Sequence, residues 1–226
     1  MSRVARTYVA SEGWLFIAAM IASGFVAKFY FGLLAALPLW LLALLVAYLF
    51  RDPAREIPAA PLGVVSPADA EVLVIDTVYD EYLKRNAISV TMRMHRLGSY
   101  VTRAPIEGKI VQRWQTPANS EDDTKNMALD RHAMQIQTDE NDDVVLVMGV
   151  AHHALKPVFY HQSGERLGQG ERCGLIRFGG YLELLLPANS RVQVSEGDHV
   201  QAGSDILASL IRGNATETTI NMEVEK

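Results

Sequence analysis

A chain of 226 residues, 49% of them hydrophobic, is long enough for one sizeable core or for a smaller domain with an anchor. A formal net charge of −5 removes the electrostatic case for a nucleic-acid partner, and a single cysteine, Cys173, removes a disulfide framework within the chain. Cys173 reads as a small buried apolar side chain; as a nucleophile it would need a base beside it.

The hydrophobicity is concentrated near the N-terminus. Trp14 to Ala27 is an apolar run, Lys28 interrupts it, and Phe29 to Phe50 is a second run. About 20 apolar residues cross a bilayer core, so the second run qualifies outright. The first is short unless it recruits Phe29 to Phe31, with Lys28 snorkelling to the interface. No small-residue cleavage site follows the first run, and the second would act as a stop-transfer segment. Residues 1–50 therefore read as a two-helix transmembrane hairpin, with Pro38 expected to kink its second helix. Arg3 and Arg6 precede the pair, Arg51 and Arg55 follow it, and only Lys28 lies between. The positive-inside rule then puts both ends on the cytoplasmic face of the inner membrane. The rival arrangement is one span at residues 29–50 with an interfacial first segment.

Residues 51–62 carry three prolines and predict an extended juxtamembrane linker, with Arg51 and Arg55 at headgroup level. From residue 63 to 212 the pattern is β-rich. Glu71 to Val78, Ile88 to Met94, Val101 to Arg103, Lys109 to Trp114, Arg191 to Val194 and Ile206 to Ile211 read as strands. Residues 117–131 read as a polar, exposed loop. Ala133 to Thr138 and Val144 to Val150 predict a hairpin across 139–143. In Gly170 to Pro187, the run Leu175, Ile176, Phe178 and the alternating Leu182, Leu184, Leu186 flank Gly179-Gly180, which predicts a second hairpin. The tail, 213–226, is polar. The fold class expected is mainly β, a barrel-sandwich-like cytoplasmic domain behind a two-helix transmembrane hairpin. Ala104 to Gln112 and Val194 to Leu210 are similar to the strand-turn repeats of lipoyl and biotinyl carriers, although the carriers' modified lysine has no counterpart.

Five segments in order, FRDP (Phe50 to Pro53), SPAD (Ser66 to Asp69), RAPIEGKI (Arg103 to Ile110), GERCGLIRFG (Gly170 to Gly179) and EGDHVQAGSDILA (Glu196 to Ala208), resemble the short-type phosphatidylserine decarboxylases. The resemblance implies a chain that cuts itself at a Gly-Ser bond, the serine becoming an N-terminal pyruvoyl group. It also implies an aspartate that helps set up the cut and a histidine upstream of RAP. Asp69 matches the aspartate, Tyr100 stands at the histidine position, Gly179 is the glycine of the scissile bond, and Gly180 replaces the serine. Glycine has no hydroxyl to attack the preceding carbonyl, so no pyruvoyl cofactor is expected. The Gly98-Ser99 and Gly203-Ser204 pairs lie outside the cleavage context and read as turns.

Each of these residues also has a plain reading. Asp69 caps its own Pro-Ala-Asp turn, and Tyr100 is core packing or a hydrogen-bonded phenol. His95, His152, His153 and His161 lack the spacing of a metal site, so no metal is expected. The function expected is a membrane-anchored homologue of phospholipid metabolism, uncleaved, that binds a phospholipid headgroup or partners an active decarboxylase relative or another copy of itself. The alternatives are an active decarboxylase with an atypical site and a membrane-tethered adaptor.

Overall fold

The computed structural model describes residues 11–51, 55–95, 98–117, 129–151, 154–177 and 179–211. Helix α1 (Ser11–Phe31) and helix α2 (Leu33–Leu49) pack as an antiparallel pair. The first helix recruits the three aromatic residues that the hairpin reading needed. Phe29, Tyr30 and Phe31 continue the first helix, and Gly32, with φ 85°, ends it. α1 is then the helix of membrane-spanning length, with a mean hydropathy of 1.7 from Gly13. The 17 residues of α2 reach only about 26 Å at ~1.5 Å per residue, just short of a hydrocarbon core. Leu15, Phe29, Phe31 and Leu34 are exposed, a surface suited to lipid rather than water.

The two helices touch where side chains are small. A Cβ on Gly24 would fall on Trp40 Nε1, whose ring stands edge-on to Phe25 at 5.5 Å. Close approach at a small residue is how helices associate in lipid, where no hydrophobic drive operates between them. Gly24→Ala is therefore expected to displace the indole. With Trp14 and Trp114 changed to Phe, a shift in Trp40 emission reads the displacement; an unmoved spectrum would mean that the contact is absent.

The rest of the chain is mainly β. Its large sheet contains β2 (Ala70–Asp80), β3 (Arg85–Met94), β5 (Gly108–Thr116), β6 (Leu129–Gln137), β7 (Asp143–Ala151), β9 (Arg166–Leu167), β11 (Tyr181–Pro187) and β13 (His199–Val200). Their order is β13-β2-β3-β11-β7-β6-β5-β9, with every neighbour antiparallel. Two small sheets complete the domain. β1 (Gly63–Val65), β14 (Ile206–Ser209) and β12 (Arg191–Val192) form one, and β4 (Val101–Arg103), β10 (Arg172–Leu175) and β8 (Val158–Phe159) the other.

The central strands are apolar on both faces because both are covered. On β11, Leu182, Leu184 and Leu186 join the main core with Met92, Leu146 and Met148, while Leu185 packs on the other side with Ala87 and Val147. Each fully buried leucine contributes about 1.5–3 kcal/mol. The polar member, Glu183, accepts a hydrogen bond from the Ser89 hydroxyl at 2.8 Å.

The expected β6–β7 hairpin is present, turning through Asn141 at φ 66°. β6 begins at Leu129, so the end of the polar segment is strand; residues 118–128 and the tail from 212 lie outside the described residues. The expected hairpin at Gly179-Gly180 does not exist. β10 joins β4 and β8, whereas β11 lies between β3 and β7, so the chain crosses there from one sheet to another. Glycine is needed for close backbone approach at this crossing, not for a reversal.

Candidate functional site

The four positions taken from the resemblance come together around the end of β3. The Met94 N–H donates to Gly180 O at 3.0 Å, and the next residue, His95, donates its N–H to Asp69 O at 3.0 Å. Ile176 ties Tyr100 to Gly180: its N–H donates to Tyr100 O at 2.9 Å, and its Cγ2 lies 3.0 Å from where a Gly180 Cβ would stand. Phe178 lies outside the described residues.

Two of the four, Gly179 and Gly180, carry no side-chain functional group. Gly179 has φ 81°, a left-handed conformation that glycine adopts freely. At Gly180 a Cβ would lie 2.8 Å from Gly149 O, in addition to its approach to Ile176, so backbone fills the space a side chain would take. These residues do not fit a pyruvoyl group: the oxygen it arises from is absent, and the room for its parent side chain is closed.

Tyr100, 2% exposed, is core packing. Its ring meets Phe50 edge-on at 5.7 Å, in a cluster with Val101 and Leu175 against Val46 of α2. Burial pushes its phenol above the usual tyrosine range, so it stays neutral at physiological pH. The position that the resemblance assigns to an acid/base histidine here joins the base of the helix pair to the β domain.

Asp69 does not cap its own turn. Its carboxylate accepts from Arg55 Nη2 at 2.9 and 2.8 Å, from the Ala202 N–H at 2.9 Å and from the Ser99 N–H at 3.3 Å. The side chains of Asp69 and Arg55 are only 12% and 17% exposed. Arg55 also donates to Gln201 Oε1 at 2.9 Å. Arg55, expected at headgroup level, is engaged by a partly desolvated carboxylate of the β domain. Arg55 and the two backbone donors had no signal in local sequence.

The remaining motif segments interlock through backbone. Arg103 N–H donates to Pro67 O, Ala104 N–H to Glu171 O, Gly170 N–H to Ala104 O and Gly203 N–H to Ser66 O, at 2.7–2.8 Å. Arg103 also donates from its guanidinium to Gly170 O at 2.9 Å. The SPAD, RAP, GER and QAGS segments thus form one knot behind the crossing.

Cys173 is fully buried, with its thiol 3.7 Å from Thr102 Oγ1, and burial pushes it up to about 12. A thiol that stays protonated is no nucleophile. Ellman's reagent at pH 8 is expected to leave the folded chain unmodified and to react once it is unfolded; stoichiometric reaction of the folded chain would contradict the burial.

His161 bonds Glu165 at 3.0 Å through Nδ1 and Arg172 O through Nε2, and the His95 ring lies 5.1 Å from that of His199, tilted by 44°. His152 and His153 lie outside the described residues. Among the described residues no group of three or more His, Cys, Asp or Glu converges on a metal position.

Comparison with known proteins agrees with the motif reading. The family model described as phosphatidylserine decarboxylase matches residues 42–208. A protein of Nitrosomonas eutropha named phosphatidylserine decarboxylase proenzyme is 38% identical over 203 residues, 88% of this chain and 94% of its own length. Its namesake in Nitrosomonas europaea gives the same figures. One from Aromatoleum aromaticum is 37% identical over 205 residues, 89% of this chain and 95% of its own.

Proposed function

This chain belongs to the phosphatidylserine decarboxylase family, and from that premise we propose a member that stays in one piece and forms no pyruvoyl group. It serves phospholipid metabolism from the inner membrane, binding an aminophospholipid headgroup without decarboxylating it. The observation that carries this reading is Gly180: no hydroxyl, and a backbone oxygen 2.8 Å from the place of its missing Cβ. The packing of Tyr100 on Phe50 and the engagement of Asp69 by Arg55 support it, since both occupy side chains that a cutting site would need free.

The membrane placement draws support from the exposed apolar surface of α1 and α2. Arg3, Arg6 and Arg51 outside the pair, against Lys28 alone within it, favour a β domain on the cytoplasmic side.

Mass spectrometry of the purified chain tests the reading. One species of full mass is expected, with no carbon dioxide released from phosphatidylserine. Two fragments dividing at Gly179-Gly180 with a blocked new N-terminus, or hydroxylamine-sensitive decarboxylation, would overturn it. In nanodiscs, binding is expected to favour phosphatidylserine over phosphatidylcholine; equal affinity would remove the headgroup role.

A further inference from the structure

A cavity of about 450 Å³ lies against β5 and β6 of the large sheet, with residues 156–163 on its other side. It is lined by Arg113, Gln115, His132, Lys156, Phe159 and Ser163. Strand register explains the convergence. Gln115 stands directly opposite His132, and Arg113 opposite Met134, so the Arg113, Gln115 and His132 side chains share one face. β8 closes the other side, where alternation sends Val158 toward the Phe50–Tyr100 cluster and Phe159 toward the main core.

His132 marks this cavity as more than a surface dent. It is 5% exposed, and its Nε2 has no hydrogen-bond partner among the described residues. A buried polar atom left unsatisfied is costly, and a fold retains one where something else meets it. Its ring is oriented by Phe159, with centroids 6.5 Å apart. Arg113 is held too: it donates to His161 O at 3.0 Å, and its guanidinium lies 5.4 Å from the centre of the Phe159 ring. Burial, with Lys156 adding to it, pushes the imidazole below its usual range against the opposing pull of Asp130. The ring is then neutral near pH 7 and, as the Nε2–H tautomer, is a donor rather than a charge.

We propose that this cavity is a binding site for a phosphate ester, held by Arg113 and Lys156 as cations, by the His132 Nε2–H and by the Ser163 hydroxyl. The two cations exclude a metal ion. Donors arriving from three directions suit the several acceptor oxygens of a tetrahedral anion better than the two of a planar carboxylate. The site does not depend on the fate of the Gly179-Gly180 bond. Its ligand is either a soluble phosphate ester or the phosphate of a lipid headgroup, and the test separates the two.

The full chain, labelled with ¹⁵N-histidine in detergent, reports through the His132 Nε2 resonance, identified by its loss in His132→Asn. Inorganic phosphate is titrated in one arm; in the other, phosphatidylglycerol nanodiscs are compared with phosphatidylcholine nanodiscs. A saturable shift is expected, with Arg113→Gln and Lys156→Gln each weakening binding about tenfold. Both residues are exposed, so the fold survives their exchange. A shift with free phosphate supports the site with a soluble ligand; one seen only in phosphatidylglycerol discs supports it with a lipid. No shift in either arm, or a shift that both exchanges leave unaltered, overturns the proposal.

Discussion

Gly180→Ser is expected to leave the chain uncut while lowering its stability. The new Cβ must stand 2.8 Å from Gly149 O and 3.0 Å from Ile176 Cγ2. The first is backbone of β7, which is paired with β11 on one side and β6 on the other, so it yields only by deforming the sheet. Overpacking of this kind costs about 1–3 kcal/mol, and each kcal/mol lowers Tm by about 2–4 °C in a domain of this size. The restored hydroxyl would still lack the histidine that the family resemblance implies at position 100, because Tyr100 stands there, packed on Phe50. Electrophoresis and a thermal melt read both effects. Self-cleavage in this single variant would show that the nucleophile alone had been missing.

Asp69→Ala is expected to be among the most damaging changes outside the apolar core. It removes the acceptor for Arg55, Ala202 N–H and Ser99 N–H together, leaving buried donors unpaired. Breaking a buried ion pair from one side costs about 3–5 kcal/mol; partial exposure of both side chains puts this one at about 3 kcal/mol or below. Arg55→Ala should cost somewhat less, since the backbone donors remain. A double-mutant cycle followed by urea unfolding is expected to return a coupling of about 1–3 kcal/mol. A coupling near zero would class the contact with ordinary surface pairs.

What the sequence made legible was local. The β6–β7 hairpin could be read because two alternating runs meet across a short polar turn that fixes their register. The motif positions could be read because RAP sets the numbering of Tyr100, and GLIRFG that of Gly180. What stayed hidden depended on distant partners. Gly179-Gly180 looked like a turn because the flanking runs alternate correctly, yet their partners are β4 and β8 on one side and β3 and β7 on the other. The partners of Arg55 could not be read either, since Gln201, its second contact, is 146 residues away. His132 sits in a strand of mixed polarity, and its orphaned nitrogen appears only once β5 and β8 are folded over it.

The crossing at Gly179-Gly180 also governs how any cut there would be seen. The segment after it is gripped between β3 and β7, and the segment before it between β4 and β8. Were that peptide severed, the halves would stay clasped as a two-chain particle with an unchanged hydrodynamic radius. Gel filtration is blind to the distinction, and only a sample stripped of its fold before weighing can count the chains.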